Sequence, residues 1–218
     1  MSYCDSYERL SSETHSLCGV IAGRRSIRRY RTDEVPAAIL QRLLQAVVAA
    51  PSAHNRQPWR FTLLRDCAIK LALADAMGRR LRQDRTKDGD DPVSIEADVA
   101  RSRARIAGAP VVLVVCVTME EMDVYSDAAR ARAEFLMAVQ STAMAAQNLM
   151  LAAHSEGLGS CWMCGPLFCP EVVRATLDLP QQWEPQALVT IGFPAGPAKQ
   201  RPRKPLNEVV REYCAKQA

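Results

Sequence analysis

Four arginines and one serine fall within the stretch Gly23–Tyr30, near the start of the chain. A guanidinium group binds phosphate oxygens in pairs, and a hydroxyl or a backbone N–H can fill the remaining acceptor positions. The stretch therefore indicates a site for a doubly charged phosphate. A basic run is also typical of a solvated surface or a nucleic-acid patch, so the arginines alone leave both interpretations open.

A second polar stretch, Pro51–Trp59, directly follows an apolar helical pattern. The pattern covers Ala37–Ala50, with apolar residues at helical spacing at Ile39, Leu40, Leu43, Leu44, Val47 and Val48. Because the proline that follows ends the helix, Ser52 and Asn55 lie on a loop that a buried helix would aim at a ligand. On the same loop, His54 is either a proton donor or a solvent-facing histidine.

The remaining elements predict an α+β fold. Apolar runs predict three strands, at Arg60–Arg65, Val111–Val117 and Ala187–Phe193. The second of these is a continuous β-branched run, which favours a strand buried on both faces at the centre of the sheet. Helices are predicted at Ala68–Leu81 and Glu134–Ser155. We expect helices packed on a small, mostly antiparallel sheet, with one long central helix and a polar surface loop over Arg82–Pro92.

Composition limits the classes of function. The chain of 218 residues is 48% hydrophobic and 24% charged, as in an ordinary globular protein of one domain. Its net charge of +4 does not force attraction to nucleic acid or membrane. No apolar run reaches the roughly 18 residues of a membrane span, and residues 1–16 lack the apolar core of a signal peptide. We therefore expect a cytoplasmic protein.

Two sequence features could suggest other chemistry. The pair Cys161-x-x-Cys164 has the spacing of a zinc or dithiol site, but its apolar surroundings favour buried reduced thiols. Gly157-Leu158-Gly159 follows a helix and lacks the third glycine of a dinucleotide-binding turn. The sequence therefore predicts no metal site and no resident nicotinamide cofactor.

The two polar stretches together resemble the nitroreductase family. That family holds the phosphate of flavin mononucleotide (FMN) with an Arg-Arg-Ser-x-Arg motif, matched here by Arg24, Arg25, Ser26 and Arg28. Its next helix ends in a Pro-Ser-x-x-Asn-x-Gln-Pro-Trp loop, which approaches the flavin partly from the second subunit. Ser52, Asn55 and, with a weaker match, Gln57 occupy that loop here.

Two later segments extend the resemblance. Gly157–Gly165 resembles the segment that lies against the flavin ring, which implies contacts from Met163, Cys164 and Gly165. Lys199–Leu206 resembles the closing basic segment, in which Arg201 and Arg203 return to the phosphate. The FMN-binding domain would then cover residues 18–212, with a lid at about 82–107, an N-terminal arm at 1–17 and a tail at 213–218.

The resemblance implies an FMN-dependent NAD(P)H oxidoreductase. Hydride would pass in a ping-pong reaction from NADH or NADPH through the flavin to a small acceptor such as a nitroaromatic, quinone or enone. The flavin carries this chemistry, so no catalytic side chain is assigned. A homodimer with shared active sites is also implied, with helix 134–155 at its centre, and neither a nucleic acid nor a membrane is expected as a partner.

Several alternatives stay open. Gly157–Trp162, Trp183–Pro185 and Ile191–Pro194 look most similar to the flavin-binding C-terminal domain of the ligase that builds the deazaflavin coenzyme. A deazaflavin-related flavin reductase is therefore one alternative. Others are the oxygen-dependent flavin-cleaving branch of cobalamin ligand synthesis, a flavin-binding protein without turnover, and a nucleic-acid binder that uses the two basic stretches.

Overall fold

A four-stranded antiparallel sheet separates two layers of helices. The computed structural model describes residues 16–212. The strands are β1 (Trp59–Leu64), β2 (Val111–Val117), β3 (Gly159–Met163) and β4 (Glu184–Gly192), in the order β1-β2-β4-β3. Every neighbouring pair is antiparallel. The predicted tail at 213–218, and all of the predicted arm except its last two residues, lie outside the described part.

Helices account for most of the remaining chain. They are α1 (Leu17–Gly23), α2 (Ala37–Val48), α3 (Cys67–Lys87), α4 (Pro92–Ala107), α5 (Ala128–Ser155), α6 (Pro170–Leu177) and α7 (Leu206–Val209). Short 3-10 turns cover Ala53–Asn55 and Gly165–Phe168. Over residues 16–212, no helix combines the length and apolar character that crossing a membrane requires.

The core lies on both faces of the sheet. On β2, alternate residues point to opposite sides, and the whole strand is buried. One face packs against α2 and the C-terminal half of α5, while the other packs against α3, α4 and α6. The α+β prediction is confirmed, as are the inner position of β2 and the long helix.

Two predicted boundaries were wrong, because polar helical turns carry no apolar period. Helix α3 continues to Lys87, so the first half of the predicted loop at Arg82–Pro92 is helical. Ion pairs hold these turns, including Arg82 with Glu96 of α4 and Arg85 with Asp98. Helix α5 begins at Ala128, six residues before the predicted start, and its first six residues are exposed.

The arginine-rich stretch runs along the free edge of β3. Ser26 forms a parallel bridge with Ser160, and the backbone N–H of Ile27 donates to the Ser160 carbonyl at 2.9 Å. Gly159 permits this approach, because a Cβ at that position would lie 2.6 Å from the Ile27 side chain. Strand β3 was missed by the sequence analysis, since a short run containing glycine and cysteine gives a weak strand pattern.

Tyr30 fixes the other end of the same stretch. Its hydroxyl lies 2.6 Å from the Ile27 carbonyl oxygen, to which it donates, and 2.7 Å from Oγ1 of Thr190 on β4. Burial raises the pKa of Tyr30 far above its usual range, although the hydrogen bond with Thr190 opposes the shift. The neutral phenol is therefore the form that anchors the stretch to the sheet.

We expect Tyr30→Phe to lower the free energy of unfolding by about 1–3 kcal/mol, because Thr190 and Ile27 lose a partner in a buried setting. Urea unfolding followed by circular dichroism measures the change. Tyr125→Phe is the matched control, since the Tyr125 ring contacts Arg130 and its hydroxyl makes no hydrogen bond to another described residue. Equal stability of the two variants would contradict the anchoring role.

Candidate functional site

Arg24 and Arg203 lie close together although they come from opposite ends of the chain. Arg24 is the C-cap residue of α1, and its guanidinium is partly buried. Burial lowers the pKa of Arg24, and the positive charges of Arg203 and Arg25 lower it further. The structure thus brings together two of the predicted phosphate ligands.

A second pair of guanidinium groups, from Arg28 and Arg105, lies nearby. Burial and the charge of Arg28 lower the pKa of Arg105, which projects from the last turn of α4. Burial also raises the pKa of the Cys161 thiol, while the charges of Arg28, Arg105 and Arg24 oppose that shift. Three arginines therefore surround this buried thiol on β3.

Arg105 is a candidate site residue that the sequence analysis missed. Within α4 it follows Arg101 and Arg103, which pair with Asp98 and Asp75 respectively. The three arginines have the same two-residue spacing, so the sequence does not distinguish them. Only the packing of α4 shows that Arg105 faces Arg28 instead of a carboxylate.

The C-terminal segment returns along the arginine stretch in the opposite direction. The backbone N–H of Ala195 donates to the Arg29 carbonyl at 3.1 Å, and Nε of Arg25 donates to Oε1 of Gln200 at 3.2 Å. Arg25 also donates to the backbone carbonyls of Ala22 and Arg24. Its donors therefore join the two segments, and Arg201 follows directly in an exposed position.

The predicted ring-facing residues lie at the end of β3 and in the turn after it. Met163 is half-buried against the core on the α3 side, and Cys164 is exposed. The Cys164 sulfur accepts a hydrogen bond from the indole N–H of Trp162 at 3.0 Å. A Cβ at Gly165 would lie 2.9 Å from Met77 of α3, so this position leaves little room for a side chain.

The structure places the paired cysteines Cys161 and Cys164 in different surroundings. Cys161 is buried in the extended strand and Cys164 follows the strand, exposed to solvent. Three extended residues span about 10 Å, which is beyond the reach of a disulfide. In the described part of the chain, no group of three or more histidine, cysteine or carboxylate side chains is arranged to hold a metal.

The loop Ser52–Gln57 has an unusual backbone. His54, Asn55 and Gln57 have positive φ angles of 50°, 55° and 49°. A left-handed conformation costs a non-glycine residue about 1–2 kcal/mol, and asparagine and histidine tolerate it better than glutamine does. The Ser52 hydroxyl accepts a hydrogen bond from the Gln57 backbone N–H at 3.1 Å, which closes the loop. Strain of this kind clusters at ligand-binding sites.

Within one chain, this loop and the arginine stretch lie far apart. The loop precedes β1, and the arginine stretch borders β3, at the opposite edge of the sheet. Three strand spacings separate the two edges, or about 14 Å. The predicted site residues thus form two groups. One contains Arg24, Arg25, Ser26, Arg28, Met163, Cys164, Gly165, Arg201 and Arg203, and the other contains Ser52, Asn55 and Gln57.

The donor set of the first group fits a phosphate-bearing cofactor. Arg24, Arg28, Arg105 and Arg203 make no ion pair with any residue in the range 16–212. Most exposed arginines of α3 and α4 do pair with carboxylates, as Arg80 does with Asp84. Clustered guanidinium groups without counterions are suited to a bound anion such as the FMN phosphate.

The sequence of the chain matches a known protein family. A model of the nitroreductase family matches residues 21–193. The chain belongs to the nitroreductase family. The resemblance seen in the sequence is therefore confirmed, and the chain is an oxidoreductase of this family.

Three relatives illustrate the relationship. A protein of Thermus thermophilus named NADH dehydrogenase is 34% identical over 211 residues, which cover 86% of this chain and 91% of the relative. A 5,6-dimethylbenzimidazole synthase of Rhodospirillum rubrum is 30% identical over 180 residues, which cover 78% of this chain and 78% of the relative. The solved structure of a candidate nitroreductase from Desulfovibrio desulfuricans, in complex with FMN, is 26% identical with a TM-score of 0.68, covering 91% of this chain and 96% of that one.

One histidine lies beside the arginine cluster. His154 is in the last turn of α5, and its Nε2 would be 3.0 Å from a Cβ at Gly23, the residue before Arg24. Burial lowers the pKa of His154, and the charges of Arg24 and Arg25 lower it further. The folded protein therefore favours the neutral imidazole.

This lowered pKa makes the stability of the ligand-free protein depend on pH. The unfolded chain takes up the proton at about pH 6.5, before the folded protein does, so stability falls as the pH drops through that value. We expect the Tm of His154→Gln to fall less than the Tm of the wild type when the pH is lowered from about 7.5 to about 5.5. Scanning fluorimetry across this range measures the effect, and parallel Tm profiles would refute it.

Proposed function

We propose that this protein is an FMN-dependent NAD(P)H oxidoreductase that reduces a small organic acceptor such as a nitroaromatic, a quinone or an enone. The observation that supports this most strongly is the convergence of unpaired guanidinium groups from α1, α4 and the C-terminal segment beside β3. When bound, FMN would supply the hydride chemistry in a ping-pong sequence, with NADH or NADPH as donor.

The residues of this chain would bind and orient the cofactor. Arg24, Ser26 and Arg203 would hold the phosphate, since Ser26 is bridged to the edge of β3 two residues after Arg24, which interacts with Arg203. Arg28 and Arg105 would add positive charge along the rest of the flavin, and Arg25 would keep the C-terminal segment, including Arg201, in place. Met163, Cys164 and Gly165 would border the ring.

A homodimer with shared active sites would complete the site. Ser52, Asn55 and Gln57 lie at the opposite edge of the sheet from the arginines, and in the proposed dimer a second copy would supply them. Apolar side chains exposed on α1 and α5 support this arrangement: Leu17, Ile21, Leu136 and Met144. Residues 201–212 are also exposed throughout, although Leu206, Val209 and Val210 are apolar. Burying such surface stabilises an association.

A second function is favoured by one relative. The similarity to a 5,6-dimethylbenzimidazole synthase supports the flavin-cleaving branch as an alternative to acceptor reduction. The deazaflavin-related reductase and the flavin-binding protein without turnover stay predictions. Each alternative requires the same flavin site, so the binding residues proposed above are common to all of them.

The first test is the visible absorption spectrum of the purified protein, with the released cofactor identified by mass. Flavin bands and the mass of FMN are expected, followed by oxidation of NADH or NADPH when an acceptor is added. Loss of the flavin under oxygen, with a benzimidazole product, would favour the alternative. A colourless protein that does not take up added FMN would overturn the proposal.

We expect Arg28→Ala to weaken FMN binding by about 1.5–3 kcal/mol, because a hydrogen bond to a charged group is lost. Arg105→Ala should weaken it in the same direction. Quenching of FMN fluorescence by the apoprotein gives the dissociation constant. Arg29→Ala is the matched control, since Arg29 lies in the same stretch but is exposed and not assigned to the flavin. Unchanged binding by Arg28→Ala would remove Arg28 from the site.

A further inference from the structure

The strained loop Ser52–Gln57 is held against α5 by a direct hydrogen bond. The backbone N–H of Ala53 donates to the Ser141 hydroxyl at 3.2 Å. The same hydroxyl donates to the Met137 carbonyl at 2.7 Å, one turn earlier in the helix, so its orientation is fixed. This contact restrains the start of the loop at Ala53. The second half of the loop is restrained by other contacts.

Three residues, Glu134, Asp123 and Arg56, connect the second half of the loop to the same helix. Glu134 on α5 is only 2% exposed, and its Oε1 accepts a hydrogen bond from the backbone N–H of Asp123 at 3.1 Å. The Asp123 carboxylate in turn accepts a hydrogen bond from Nη2 of Arg56 at 2.7 Å. Glu134 precedes Ser141 by seven residues, so the two lie two turns apart on one face of α5.

Arg56 occupies the position in the loop where a restraint has the greatest effect. It lies between Asn55 and Gln57, which both have positive φ, whereas Arg56 itself is in the right-handed helical region. Left-handed residues persist only when the surrounding structure determines the conformation. Fixing the Arg56 side chain therefore restrains the strained residues on each side of it.

We propose that Glu134 and Asp123, acting through Arg56, are positioning residues that hold Asn55 and Gln57 in the conformation that meets the flavin. The inference deepens the proposed function and rests on it for the identity of the ligand. The restraint itself is a property of the free chain. Glu134 is buried and forms no ion pair with any described residue. Its carboxylate instead accepts from the Asp123 backbone N–H.

Asp123→Asn tests the restraint with little change in shape. We expect faster hydrogen–deuterium exchange in peptides that cover residues 52–57, and about fivefold weaker FMN binding, the size of effect that an exposed ion pair supports. The matched control is Asp75→Asn, because the Arg103–Asp75 pair has the same 2.7 Å separation and similar exposure. The control should leave exchange in the loop and FMN binding unchanged.

Variants of Arg56 and Glu134 separate positioning from general stability. Arg56→Ala combined with Asp123→Asn should weaken FMN binding no more than Arg56→Ala alone, because both changes act on one interaction. Glu134→Gln keeps an oxygen that accepts from the Asp123 N–H. Hydrogen–deuterium exchange over residues 52–57 should therefore stay close to that of the wild type in this variant. Glu134→Ala should increase that exchange, and Asp123→Asn should do so with a change in Tm no larger than that of the control Asp75→Asn.

FMN binding and hydrogen–deuterium exchange test different parts of the proposal. If the wild type does not bind FMN, the proposed function fails, and exchange in the loop still decides whether the restraint exists. If exchange over residues 52–57 is the same in Asp123→Asn and the wild type, the positioning role is overturned, whatever the affinity for FMN. The role is also overturned if exchange rises but FMN binding is unaffected.

Discussion

The structure depends on holding several positive charges together at one edge of a sheet. Arg24 and Arg28 of the arginine stretch, Arg105 of α4 and Arg203 of the C-terminal segment come from three separate segments, and their mutual repulsion opposes the folded state. Backbone pairing of Ser26 and Ile27 with Ser160, and the buried hydroxyl of Tyr30, offset that repulsion. A bound dianion would convert the same repulsion into attraction, so the fold is built to be more stable with its ligand than without it.

The two groups of site residues require different kinds of support. The arginines are exposed or half-buried and rely on their backbone for position, since long flexible side chains can adjust to an anion. The loop Ser52–Gln57 carries shorter polar side chains, and a strained backbone fixes their direction. Helix α5 contacts this loop directly through Ser141, and Glu134 of the same helix is linked to it through Asp123 and Arg56. Its exposed apolar residues, Leu136 and Met144, lie on the same helix, so the proposed dimer contact and the loop share one rigid element.

Much of the fold was predictable because its main elements have strong apolar patterns. The run Val111–Val117 and the helix ending at Ser155 are buried enough for their periods to identify them. Helical turns held by ion pairs, such as those around Arg82 and Arg85, have no such pattern and were read as a loop. The Arg-Arg-Ser-x-Arg motif was recognisable because its residues are contiguous. Arg105 was not, because its role depends on how α4 packs.

The helical hairpin of α3 and α4 is held to the rest of the structure at one end, which is called its base here. At the base, the buried ammonium group of Lys70 donates to the carbonyls of Ala109 at 2.6 Å and Pro110 at 3.1 Å, which ties the start of α3 to the end of α4. Arg105 lies close to this base, whereas Pro92 at the tip is 13 residues away along α4, or about 20 Å. A rotation of about 10° about the base would move the tip by about 3.5 Å, while Arg105 would hardly move. In the proposed function, a movement of the hairpin tip over an acceptor would leave in place the charges that would hold the cofactor.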